Sequence, residues 1–250
     1  MSCAIAARGL RFRYPNGVTG LDGLDLSVRH GERVAVLGPN GAGKTTLMLH
    51  LNGLLAGEGE LSVAGIDVGH GDARELRARV GLVFQDPDDQ LFMPTVREDV
   101  AFGPLNLGAT PEQALARVRA ALGEVRMEHV ADRAPHQLSL GQRRRVAIAT
   151  VLAMDPSLLV LDEPSASLDP RARRELLELL DRIERTMLVV THDLPFAAAL
   201  CERAVVLSAG RIVGDGRCLD ILRDTALLAA HDLELPAGFD ADRLEVAAAA

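Results

Sequence analysis

The 250-residue sequence predicts an α/β fold. Three observations carry that prediction. Strand and helix signals alternate along most of the chain. The apolar run Val34-Ala35-Val36-Leu37 enters a glycine-rich turn and leaves it as helical sequence. A second apolar run, Leu158-Leu159-Val160-Leu161, ends in two acids, Asp162 and Glu163. Short apolar runs bounded by turn residues suit buried strands.

Residues 5–14 and 24–29 read as an antiparallel β edge around the turn Pro15-Asn16-Gly17. Residues 33–37 form a strand, and 44–51 a helix. Residues 60–63 and 80–84 are further strands. From Pro94 to about Met154 the β signals fade and helical ones dominate, which predicts a helical subdomain inserted at about 90–155. Within it, residues 111–122 fit a helix with Thr110 as N-cap and Pro111 in the first turn. The α/β core resumes with the strand 158–161, a helix from 170 to about 184, and the strand 187–190. Residues 205–208 and 211–213 complete a C-terminal αβ section. One domain is expected over 1–235. The tail 236–250 is rich in Ala and Asp and is expected to be poorly ordered. No internal repeat is visible.

Hydrophobic residues make up 48% of the chain, enough for a substantial core. The formal net charge of −8 argues against nucleic-acid binding through a basic surface. The runs Arg143-Arg144-Arg145 and 171–174 read as solvated helix faces. Three cysteines, Cys3, Cys201 and Cys218, are far apart and form no C-x-x-C, so they read as reduced thiols. The seven histidines form no pair at metal-ligand spacing. The longest apolar runs, such as 146–154, fall well short of the roughly 20 residues of a membrane span. A membrane role is therefore expected to come through a partner.

The stretch Gly38-Pro39-Asn40-Gly41-Ala42-Gly43-Lys44-Thr45-Thr46 fits Gly-x-x-x-x-Gly-Lys-Ser/Thr, the phosphate-binding P-loop. Its glycines let the backbone turn tightly, so that successive N–H groups aim at phosphate oxygens. Lys44 reaches the β- and γ-phosphates, and the Thr45 hydroxyl suits Mg²⁺. The N-terminus of the following helix faces the same anion. A buried strand ending in two acids is costly unless cations meet them. Asp162 fits the Mg²⁺-shell aspartate of P-loop ATPases, and Glu163 the base that polarises water.

Leu138-Ser139-Leu140-Gly141-Gln142, followed by helical sequence, resembles the LSGGQ signature of the ABC (ATP-binding cassette) ATPases. Leu140 departs from it where glycine is usual. Further motifs follow the same family in order. Tyr14, the only tyrosine, matches the aromatic that stacks on adenine. Gln85 matches the Q-loop glutamine that contacts Mg²⁺ and the lytic water. Ser167-Leu168-Asp169 matches the D-loop, and His192 the switch histidine. The resemblance covers roughly 5–222. It implies an ABC ATPase cassette: a P-loop core with a mixed sheet, an N-terminal antiparallel β subdomain and an inserted helical subdomain. It implies MgATP as ligand, Glu163, His192, Gln85 and Lys44 as catalytic residues, and Thr45, Gln85 and Asp162 at the metal. The P-loop, Tyr14, Ser139, Gly141, Gln142 and Asp169 would contact nucleotide between two head-to-tail cassettes. The intact motifs make a homodimer the simpler expectation, with a heterodimer as the alternative.

The segments 83–92 and 95–104 look like those of energy-coupling-factor ATPases, closest to the cobalt/nickel type. That resemblance implies uptake of a transition metal or a vitamin in prokaryotes. Its partners would be a transmembrane coupling subunit and a substrate-capturing membrane subunit, with the chain on the cytoplasmic face of the membrane. Asp86, Asp88 and Asp89 are expected to line a docking groove for a basic coupling helix. The alternatives are a conventional ABC transporter of another solute and a soluble ABC ATPase of DNA repair or translation.

Overall fold

The computed structural model describes residues 3–240. These form strands β1 (Cys3–Arg13), β2 (Thr19–Arg29), β3 (Arg33–Leu37), β4 (Glu58–Val63), β5 (Ile66–Asp67), β6 (Val80–Val83), β7 (Leu158–Asp162), β8 (Thr186–Val190), β9 (Arg203–Ser208) and β10 (Arg211–Arg217). Two sheets result. One is antiparallel, in the order β2-β1-β4-β5. The other runs β10-β9-β3-β8-β7-β6, parallel throughout except for the antiparallel edge strand β10.

The apolar runs that predicted strands form the middle of the second sheet. Side chains alternate across a strand, and here both faces are covered. Val34 and Val36 pack into one core while Ala35 and Leu37 pack into another. Leu158 and Val160, against Leu159 and Leu161, repeat the division on β7. None of these eight residues has measurable exposure. Strands buried on both faces need uninterrupted apolar sequence, which is why they were legible.

The helices are α1 (Lys44–Leu51), α2 (Ala73–Arg79), α3 (Val96–Asn106), α4 (Pro111–Glu124), α5 (Leu140–Leu152), α6 (Pro170–Arg182), α7 (Leu194–Leu200), α8 (Cys218–Arg223) and α9 (Thr225–Ala230). Between β6 and β7 the chain is helical: α3, α4 and α5 pack on one another there. Each starts at a reciprocal capping box. Thr95 pairs with Glu98, Thr110 with Gln113, and Ser139 with Gln142. Each box satisfies two N–H groups that the helix leaves unpaired. Helix α4 begins at the predicted Thr110 cap and runs two residues beyond the predicted end.

Cys201 and Cys218 are buried, and burial pushes both thiols up, Cys218 to about 12. Of the tail expected at 236–250, residues 241–250 lie outside the described residues. Residues 236–240 have no regular structure, and Phe239 packs against the core.

Candidate nucleotide site

β3 delivers the chain into the P-loop. Gly38, Gly41 and Gly43 take φ of 155°, 79° and 107°. At two of them a side chain is excluded by space as well. A Cβ on Gly38 would lie 2.2 Å from the Leu207 carbonyl oxygen, and one on Gly43 would lie 2.3 Å from that of Gly20. The cleft over α1 collects Asn40, Gly41, Gly43, Lys44, Thr45 and Thr46 from the loop. Gly38, Pro39 and Ala42 shape the loop from beneath, Ala42 being buried and bonded through its carbonyl to the Gly210 N–H. Lys44 Nζ donates to the carbonyls of Gly38 at 2.7 Å and Pro39 at 2.9 Å. Burial lowers the Lys44 ammonium pKa, against Glu163 and Asp162, which favour the charge.

Tyr14 stands at the rim, with its hydroxyl 3.0 Å from Thr46 Oγ1 and its ring edge-on to Phe12. Val18, Thr19 and Gly20 of the β1–β2 hairpin also line the cleft, and the sequence analysis missed them. Gly20 left one signal: a Cβ there would meet Thr46 Cγ2 at 2.8 Å, so the close approach requires glycine.

Opposite the loop lie Gln85, Asp162 and Glu163. Glu163 is 7% exposed and holds φ at 43°, a left-handed conformation that a non-glycine residue keeps only when its surroundings enforce it. They do so here. The Glu163 N–H donates to the Val190 carbonyl at 2.8 Å. Its carboxylate accepts from the Thr191 hydroxyl at 2.9 Å and the His192 backbone N–H at 3.1 Å, and His192 Nδ1 lies 2.7 Å away. Thr191 was not foreseen as part of this set. Burial alone would raise the carboxyl of the next residue, Asp193, yet Arg173, the Phe196 N–H and Ser165 hold it below the usual range.

Burial and the neighbouring Glu163 push the Asp162 carboxyl up to about 6, although Lys44 and Arg144 work against them. The Thr45 hydroxyl and the Gln85 amide share its cleft. Hard oxygen donors beside an undercompensated acid pair fit Mg²⁺, which uses few protein ligands and completes its shell with phosphate and water.

The signature lies elsewhere. Ser139, Gly141, Gln142 and Asp169 do not line this cleft. Ser139 is exposed and caps α5, and Asp169 caps α6 through the N–H groups of Arg171 and Ala172. Gly141 lets the two helices close up, since a Cβ there would lie 3.1 Å from Ala172 Cβ. Leu140 has no positive φ, so glycine is not needed for the backbone there. The arginine run is not a solvated face. Arg144 is 2% exposed, and Arg143 and Arg145 are only partly exposed. The period of a helix turns one of three adjacent residues inward.

The three acids after Gln85 are exposed and lie outside the lining of the apolar groove nearby. Asp86 caps the short turn Pro87–Asp89 through the Asp88 N–H, and Asp88 pairs with Arg143 at 3.2 Å. Nearby runs an apolar groove of about 550 Å³, lined by Phe84, Phe92, Phe102 and Met154 with Arg74 and Arg77. Phe92 and Phe102 meet edge-to-face at 5.0 Å, and are 62% and 43% exposed.

The fold and this cleft define a P-loop nucleotide-binding ATPase. The ABC transporter family profile matches residues 21–166. The chain belongs to the ABC transporter ATPases, and its relatives place it with the energy-coupling-factor type. It is 59% identical to an ABC transporter ATP-binding protein of Streptomyces avermitilis, over 93% of this chain and 89% of that one. It is 47% identical to the cobalt import ATP-binding protein CbiO of Rhodobacter capsulatus, over 96% and 88%. With the energy-coupling factor transporter ATP-binding protein EcfA of Methanothermobacter thermautotrophicus it shares 45% identity, over 93% and 76%. Among solved structures, cbiO1 of Clostridium perfringens, part of the complex cbiONQ, superposes with a TM-score of 0.82 at 32% identity, covering 99% of this chain and all of that one. A dimeric cassette, MJ0796 bound to ADP and Pi, gives 0.76 at 28%, covering 86% and 98%.

Proposed function

We propose that this chain is the ATP-hydrolysing subunit of a prokaryotic energy-coupling-factor importer, acting at the cytoplasmic face of the membrane as a dimer. The observation that carries the dimer is the exposed Ser139 at the start of the signature helix, outside the lining of its own chain's nucleotide cleft. A capped helix start that lies outside its own subunit's cleft suits the nucleotide of a second subunit. Two identical chains are the simpler arrangement, and a related cassette is dimeric with ADP and Pi.

Tyr14 stacks on adenine and the P-loop amides cradle the phosphates. Lys44, now bonded to its own loop, swings to the β- and γ-phosphates. Thr45, Gln85 and Asp162 would hold Mg²⁺, which when bound supplies positive charge to the phosphates. Glu163 accepts the proton of the attacking water, and Thr191 and His192 fix its carboxylate. Asp169 and Gln142 border the partner's site. Most of the rate gain comes from position and charge rather than covalent chemistry.

The partners are a transmembrane coupling subunit and a substrate-capturing membrane subunit. Among the described residues no helix is long and apolar enough to cross a membrane. The apolar groove with Phe92 and Phe102 is the site for a helix of the coupling subunit, next to the Gln85 loop. The cargo is a transition metal ion, cobalt or nickel, or a vitamin, with cobalt favoured by the relative named for cobalt import. A conventional ABC transporter for another solute is the alternative. Reconstitution with its membrane partners tests this: ATP-dependent uptake of Co²⁺ supports it, and ATP-dependent uptake of an unrelated solute alone points to the alternative.

A further inference from the structure

Arg144 lies in the second turn of α5 and is 2% exposed. Its guanidinium reaches three segments. Nη1 donates to the Gln85 carbonyl and, at 3.3 Å, to that of Glu163, and Nη2 donates to that of Ala166 at 3.0 Å. Nε has no partner. These acceptors lie in the loop after β6, at the end of β7, and in the turn that leads to Ser167–Asp169. All are neutral carbonyls. Burial works against the charge, and Asp86, Asp162 and Glu163 favour it without bonding it. A cation held this way is a poor device for stability alone, since its desolvation is not repaid by a bonded counter-ion.

Its position explains the choice. Glu163 and Ser167 have φ of 43° and 60°, and such conformations persist only where neighbours over-determine them. Arg144 bonds the carbonyl of the first and that of the residue just before the second. The guanidinium fork is rigid and planar, so its three contacts move together. At the exposed start of the same helix, five residues or roughly 7.5 Å away along the axis, stands Ser139. A shift of α5 that reseats Ser139 must therefore move these carbonyls or break their bonds.

We propose that Arg144 is a positioning residue that transmits the seating of α5 on the partner's nucleotide to the backbone of Gln85, Glu163 and the 167–169 turn. This rests on the dimer proposed above. It gives each cassette a direct route by which ATP held across the interface sets the alignment of that cassette's own base.

The experiment uses the purified full chain with Arg144→Met, which keeps length and loses the donors, and Arg144→Lys, which keeps the charge but not the fork. The P-loop is untouched, so ATP should bind the single chain within about twofold of normal, while kcat falls about 10²-fold, the cost of a misplacement near 1 Å. The lysine variant should recover about tenfold of that loss, as a charge-keeping replacement with fewer hydrogen bonds. A side chain that merely fills the core would lower nucleotide affinity and turnover together, with lysine no better than methionine, and that pattern overturns the proposal. ATP-driven dimerisation of a Glu163→Gln background, followed by light scattering, is read separately. If that background stays monomeric, the dimer fails and transmission through α5 fails with it. If it dimerises and Arg144→Met still turns over within about threefold of the parent, the dimer stands and the role of Arg144 alone is overturned. Should Arg144→Met not fold, Arg144→Lys decides: slowed turnover at normal affinity supports the role, and normal turnover removes it.

Discussion

Glu163 and Asp162 are adjacent in sequence and opposite in circumstance. The Glu163 carboxylate is gripped by Thr191 and His192, whereas burial and Glu163 itself push the Asp162 carboxyl up to about 6. Glu163→Gln keeps the shape and loses the base. Nucleotide binding should survive and turnover should fall roughly 10²–10⁴-fold in a phosphate-release assay. Asp162 makes a prediction of opposite sign for stability. A carboxyl whose pKa is higher in the folded chain than in the unfolded one binds its proton more tightly when folded. It therefore opposes folding at neutral pH, and the penalty fades as pH falls through about 6 towards the unfolded value. Asp162→Asn should raise the melting temperature of the nucleotide-free chain at pH 7.5 by about 2–4 °C. Metal-dependent hydrolysis should be lost in the same variant, and an unchanged or lowered melting temperature at that pH would refute the account.

At the level of elements, helix α5 presents its capped N-terminus outward while its apolar face enters the core. Ser139→Arg places a cation and a long side chain where the second nucleotide is proposed to bind. It should abolish ATP-driven dimerisation in light scattering and leave single-chain ATP affinity within about twofold, since α5 lies outside the chain's own cleft. The strands β3, β7 and β8 were readable because burial on both faces leaves no polar interruption. The P-loop was readable because phosphate contact and tight packing allow few residues other than glycine at Gly38 and Gly43. The short helices α2, α7, α8 and α9 were not, for six or seven residues give little more than one period to detect. Arg144 was hidden for another reason. A run of three arginines looks like a wet surface, and only the tertiary fold decides which one turns inward. Asp86 and Asp88 have local tasks, as cap and ion-pair partner, that leave no mark in composition.

In the whole molecule, the nucleotide cleft and the apolar groove both border the loop that follows β6, so a nucleotide in the one and the proposed coupling helix in the other would meet at one segment. Monomeric proteins seldom leave paired aromatics such as Phe92 and Phe102 open to water without use. Phe92→Ser combined with Phe102→Ser should remove co-purification with the membrane subunits while ATP binding by the free chain is retained. Undiminished assembly would relocate the docking surface. The rim of the nucleotide cleft has a consequence of another kind. The chain contains no tryptophan, and its one tyrosine is Tyr14, bonded to Thr46 and edge-on to Phe12. Its tyrosine emission therefore comes from a single ring at the proposed adenine seat. Stacking of a purine on that ring should quench the emission, whereas tripolyphosphate, which carries no base, should leave it nearly unchanged. The unlabelled protein would then be its own optical sensor, able to distinguish engagement of the base from engagement of the phosphates in one titration.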